Sequence, residues 1–185
     1  IDYATNGQIY EGNDHVQCAN IFTDVSRCCD TADGCSPAIN EGQADVHFQM
    51  VFEAGTPGRF MRNSIYGLPG RAAEFNKNTT AQQMYNGTAI DPSTNQPIGR
   101  WGQEPHYMGG VWAAAWWTLR QNIGSDATNK IFLAHEELLT GSDTFRTGLN
   151  VILTADSTLV KNGVFTTSHR QQILDSFNQH GITLP

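Results

Sequence analysis

Apolar positions fall into two regimes along the chain. From Tyr107 onward they recur at helical spacing. Val111, Trp112, Ala115, Trp116 and Leu119 line one stripe of a run that Gly124 should end. A second helix is expected at about 127–140, capped by Asp126, with Ile131, Phe132, Ala134, Leu138 and Leu139 turned inward. A third is expected at about 143–156, with Asp143 as its cap and Phe145, Leu149, Ile152 and Leu153 inward. A fourth, about 167–179, carries Ile173, Leu174 and Phe177 and stops at Gly181. Residues 106–185 therefore read as a bundle of short, separately capped helices.

Upstream the pattern changes. In Ala38–Phe52 the apolar residues Ile39, Ala44, Val46, Phe48, Val51 and Phe52 are frequent enough for a largely buried helix. Pro37 suits its first turn, where a missing N–H costs nothing. This segment, 38–54, is expected to be the helix around which the rest is organised. Residues 55–105 are rich in Gly, Pro, Asn and Thr and read as irregular, apart from a short helix near 82–85. A loop of that length in a compact domain is usually functional. Residues 1–37 read as extended or irregular. The expected fold is a single, mainly α domain.

Composition narrows the function classes. With 39% hydrophobic and 16% charged residues, the 185-residue chain can bury one sizeable core. A net charge of −7 argues against a nucleic-acid partner, because phosphate neutralisation needs clustered Lys and Arg. No apolar run approaches the ~18 residues that span a bilayer, so no membrane partner is expected. The chain opens at IDYATNG without an initiator Met or a leader, as a processed or excised segment would.

The four cysteines, Cys18, Cys28, Cys29 and Cys35, lie in one short stretch. Adjacent Cys28 and Cys29 are poorly placed to bond each other. That leaves 18–28 with 29–35, or 18–29 with 28–35. The CxxC pairs of a zinc knuckle are missing, so disulfides and an oxidising, extracellular compartment are expected. The sequons at Asn78 and Asn86 are compatible with secretion. Asp14, Asp24, Asp30 and Asp33 are candidate calcium ligands, although their spacing is not that of a dedicated loop.

Glu41 and Asp45 stand four residues apart, so both project from one helix face. Spacing alone allows a solvated acidic edge, or a metal ligand with its hydrogen-bonding partner. Of the six histidines, His15 and His180 read as loop or terminus residues, His47 as structural, and His169 as part of a polar first turn. His135 begins HEEL, which lacks the second His of HExxH because Leu139 stands there. It therefore reads as an ordinary charged helix turn. His106, in GQEPHYMGG, sits where a loop meets a rigid helix and is well placed to meet a substrate.

The order IDYATNGQIYEG, AINEGQADVHF, EPHYMGG and then the terminal helices resembles the C-terminal part of thermolysin-like zinc metallopeptidases, gluzincins related to the fungalysins. The match runs over nearly the whole chain. Asn40-Glu41-Gly42-Gln43-Ala44-Asp45 resembles the family's Asn-Glu-x-x-x-Asp helix, which implies Glu41 as third zinc ligand and Asp45 as the residue that orients a zinc-bound His. Arg62 matches an Arg that grips a substrate carbonyl, and His106 with Gly109-Gly110 matches the transition-state His. The resemblance implies the helical catalytic lobe of a secreted zinc metalloendopeptidase acting on peptide or protein substrates.

There are three departures. The cysteine loop is an insertion. The Asp that normally partners the His is absent, leaving Glu104 nearby. No HExxH occurs, so two His ligands and the general base would come from an N-terminal HExxH-bearing segment. The chain alone is expected to be inactive. The alternatives are a non-catalytic module of the same fold that binds a protein or glycan, and an inactive remnant of self-cleavage.

Overall fold

A computed structural model of the chain describes residues 29–52, 78–91 and 95–184. Helix α1 spans Ser36–Phe52 and α2 spans Ala81–Tyr85. Two-residue strands β1 (Ile90–Asp91) and β2 (Gln96–Pro97) pair antiparallel, Ile90 opposite Pro97. A 3-10 turn at Gly99–Gln103 leads into α3, Pro105–Ile123. Helices α4 (Ser125–Glu136), α5 (Phe145–Lys161) and α6 (Arg170–Asn178) complete the bundle. The described residues are mainly helical. No described helix is long and apolar enough to cross a membrane.

The organising helix is α3 rather than α1. Every residue from Met108 to Trp116 is buried, and a helix apolar on all sides can be stable only with neighbours all round. α1, α2, α4 and α6 pack against it. Trp112 stacks on Phe145 of α5 at 5.4 Å and meets Phe177 of α6 edge-on at 5.2 Å. Trp116 meets Phe132 of α4 edge-on at 5.0 Å. The tryptophans are thus core residues, and their rings fix how three later helices sit on α3.

Apolar residues of α1 do not segregate onto one face. Val46 is buried but Val51 is 72% exposed, while Gln43, Asp45 and Gln49 are buried. What holds α1 to α3 is close backbone approach. A Cβ added to Gly42 would lie 2.6 Å from the Gly109 carbonyl oxygen, and one added to Gly109 would lie 2.7 Å from that of Ala38. Only glycine leaves room for the two backbones at this distance.

Helix boundaries depart from the periodicity where capping decides them. α4 starts after Gly124, whose φ of 84° also ends α3, and Asp126 instead pairs with Lys130 at 2.7 Å. Because α4 ends at Glu136, Leu138 falls outside it and is exposed. The α5 cap is Thr144 in a capping box with Thr147, while the Asp143 carboxylate accepts from Thr140 N and Oγ1. Asp156, fully buried, accepts from Ser168 Oγ, His169 N and His169 Nδ1, closing the start of α6.

HEEL is not a charged surface turn. His135 and Glu136 are both buried: Glu136 bonds His47 Nε2 of α1 at 2.7 Å, and His135 packs among Trp112, Trp116 and Phe132. Neither His135 ring nitrogen makes a well-formed hydrogen bond. Burial lowers its pKa to about 3, opposed in part by the Phe132 carbonyl and the Asp143 carboxylate. His180 is no loose terminal residue either. It is buried between Thr118 Oγ1 and the Thr79 carbonyl, and burial lowers its pKa too, with that carbonyl opposing.

Two outcomes follow from this core. Gly42→Ala gains about 1 kcal/mol of helix propensity yet should destabilise by a net ~2 kcal/mol or more, because the added methyl forces two backbones apart. Urea denaturation measures the balance. For His135, a folded-state pKa below the ordinary 6.5 means that the unfolded chain binds the extra proton first. Its contribution to stability is complete above the ordinary value and declines as pH falls toward the folded value, with a limiting slope of roughly 1.4 kcal/mol per pH unit. The decline in stability from neutral to acid pH should therefore be shallower in His135→Leu than in the parent, as urea midpoints across that range would report.

Candidate functional site

The α1–α3 contact determines which side chains meet. Glu41 immediately precedes Gly42, and His106 lies about one turn before Gly109, so the glycine contact brings both to one end of the helix pair. His106 Nε2 stands 3.2 Å from Glu41 Oε2, with the side chains 23% and 21% exposed. Both therefore remain within reach of solvent.

Glu104 completes the group from behind. It is the α3 N-cap, with extended backbone (φ −73°, ψ 136°), and Pro105 occupies the first helical position, where no N–H is required. Glu104 Oε2 accepts from the His106 backbone N–H at 3.0 Å, and its Oε1 forms a short hydrogen bond with His106 Nδ1. One buried carboxylate thus caps the helix and holds the imidazole ring, leaving Nε2 directed at Glu41. A ring protonated at both nitrogens donates to both carboxylates. A neutral ring donates to only one.

Asp45 lies one turn beyond Glu41 on α1 and is 6% exposed, so its carboxylate belongs to the interior rather than to a solvated edge. Arg62, Cys18 and Cys28 lie outside the described residues. Cys29 and Cys35 are joined by a disulfide, with Cα atoms 5.2 Å apart. Asp33, a candidate calcium ligand, has its carboxylate on the start of α5, accepting from Thr144 Oγ1 at 2.8 Å and Arg146 N at 3.0 Å. Asp14 and Asp24 lie outside the described residues.

Among the described residues, no group of three or more His, Cys, Asp and Glu is arranged to hold a metal ion. Glu41 offers one carboxylate, and a catalytic zinc site needs about three protein ligands. These residues alone do not make a zinc site. Their chemistry is that of a carboxylate–imidazole–carboxylate chain, which can accept a cation at Glu41 and present an N–H donor at His106.

Sequence reasoning did not assign Glu104 its role. The usable signal was local: an acidic residue directly before a Pro-led helix start, two residues from the His, is at cap position. His47 and Glu136, also paired, gave no such signal because 89 residues separate them. No family model, curated protein or solved structure matches this chain.

Glu104→Ala should remove both functions of that carboxylate. The cap loss should cost about 1 kcal/mol in urea denaturation. The imidazole nitrogen resonances of His106 should shift to those of a ring that exchanges between tautomers. If those resonances stay as in the parent, Glu104 does not hold the ring.

Proposed function

We propose that this chain is the helical catalytic lobe of a secreted, thermolysin-like zinc metalloendopeptidase, contributing one metal ligand and the oxyanion-stabilising groups. The observation that carries the reading is the approach of His106 Nε2 to within 3.2 Å of Glu41 Oε2, from helices that meet only through folding. A ligand and a transition-state donor must lie close together, and the 3.2 Å approach of these two side chains supports the reading. The Cys29–Cys35 disulfide supports an oxidising compartment.

In this reading Glu41 is the third ligand of a zinc ion whose other ligands come from an HExxH-bearing segment, and Asp45 orients one of those histidines. When bound, the metal would supply a Lewis acid and an activated water. This chain's residues supply the rest. Glu104 accepts from Nδ1–H of a ring protonated at both nitrogens and fixes its plane, so that Nε2 carries a proton as well. His106 then directs Nε2–H at the oxygen on which negative charge develops, and Arg62 adds a second donor to that oxygen. Glu41 would be the residue of this chain that holds the metal, and His106 Nε2 lies 3.2 Å from its Oε2.

Supplying the HExxH-bearing segment, by co-expression or fusion, should restore peptidase activity that a chelator abolishes. In that reconstituted enzyme Glu41→Ala should lose zinc, read by metal content. His106→Ala should retain zinc but turn over roughly a hundredfold more slowly, the usual cost of one oxyanion donor. Chelator-sensitive cleavage by the 185-residue chain alone would place the chemistry elsewhere. So would a reconstituted enzyme indifferent to both substitutions.

A further inference from the structure

We propose that the Cys29–Cys35 ring is a redox-sensitive clamp that positions Glu41 against Glu104 and His106. The inference rests on the reading of those residues as one site.

The ring has one end on each side of that site. The Cys35 carbonyl accepts from Ile39 N at 3.1 Å, within the first turn of α1 and two residues before Glu41. Cys29 N donates to the Gln103 carbonyl at 3.0 Å, and the next residue is Glu104. The disulfide brings the two ends to a Cα separation of 5.2 Å. One short disulfide ring, continuous with the Glu41 helix and hydrogen-bonded to Gln103, therefore links that helix to the residue just before the Glu104 cap.

The ring is itself fastened to the rest of the bundle. Tyr85 Oη donates to the Asp30 carbonyl at 2.8 Å, which anchors it to α2. The Asp33 carbonyl accepts from Phe145 N at 2.8 Å, and its carboxylate accepts from Thr144 Oγ1 and Arg146 N, which anchors it to α5. Gly34, at φ 71°, lies so close to Phe145 that a Cβ there would meet the ring carbons at 2.8 Å. A cross-link seated on two other helices transmits its constraint instead of moving freely with the loop.

Its chemistry is asymmetric. Cys29 is 1% exposed, whereas Cys35 is only half-buried, so an incoming thiolate attacks the Cys35 sulfur. With a dithiol, that attack forms a mixed disulfide on Cys35 and expels Cys29 as its thiol. The second sulfur of the reagent then closes a cyclic disulfide and releases the Cys35 thiol. Two electrons and two protons pass to the protein, and the dithiol is oxidised. Reduction thus replaces the short disulfide tie between Gln103 and the start of α1 by the longer backbone path through residues 29–35, without removing any of the site residues.

Hydrogen–deuterium exchange on the full chain tests the clamp, comparing the parent with a Cys29→Ala/Cys35→Ala double variant and with the parent treated with dithiothreitol. The amides of Tyr107 and Met108, which donate to the Glu104 carbonyl, and that of Ile39 should exchange at least about tenfold faster once the ring is open. Amides in the middle of α5 and α6 should keep their protection. Unchanged exchange at Tyr107 and Met108 would overturn the proposal. So would equal acceleration in every helix, including complete unfolding, because the disulfide would then be a general staple. The readout needs neither metal nor substrate, so it separates failure of the clamp from failure of the peptidase reading, which the reconstitution addresses.

Discussion

The contact between Gly42 and Gly109 is the constraint on which the other features depend. It brings two helix backbones to a distance that any side chain at either position would forbid. The approach places Glu41 beside His106 and lets α3 lie buried along most of its length. Hydrophobic burial supplies most of the driving force, through Trp112, Trp116, Phe132, Phe145 and Phe177. It does not by itself determine which polar groups meet. The glycines do, because they fix the rotation and separation of one helix on the other.

The interior is also more polar than its composition suggests. Histidines tie separate elements together: His47 to Glu136, His106 to Glu41, and His180, just past α6, to Thr118 of α3 and the Thr79 carbonyl. His135 is the exception, enclosed by aromatic rings and kept neutral by burial. Such ties gain modestly when made and lose considerably when half broken, because a buried partner is left without water. They give the bundle a defined arrangement that apolar packing would specify less sharply.

The helical half was legible in its buried faces, which periodicity marks, although the caps expected at Asp126 and Asp143 are Gly124 and Thr144. Phe145, Leu149, Ile152 and Leu153 were assigned inward and are buried, and Gly124 and Gly181 stand at helix ends with positive φ. The α1 assignment captured the helix but not its buried face, since Gln43, Asp45 and Gln49 are inside while Val51 is outside. Periodicity counts side-chain polarity, and α1 is held by backbone proximity, which leaves no hydrophobic signature. HEEL misled for a related reason: Glu136 is acceptable inside only because His47 arrives from a distant helix. At the site, spacing left Glu41 open between a solvated edge and a ligand, the resemblance singled out Glu41 and His106, and neither gave the distance between them. The buried carboxylate behind the ring was visible only as a neighbour in sequence.

Glu104 serves two ends with one carboxylate, terminating α3 and gripping the His106 ring. Fraying of the first turn and loss of the hold on Nδ1 are therefore coupled. Helix ends can open locally at a lower free energy than global unfolding. Opening of that one turn would free Nδ1 of the ring while the rest of the bundle stays folded, leaving Glu41 at Nε2 as its remaining hold.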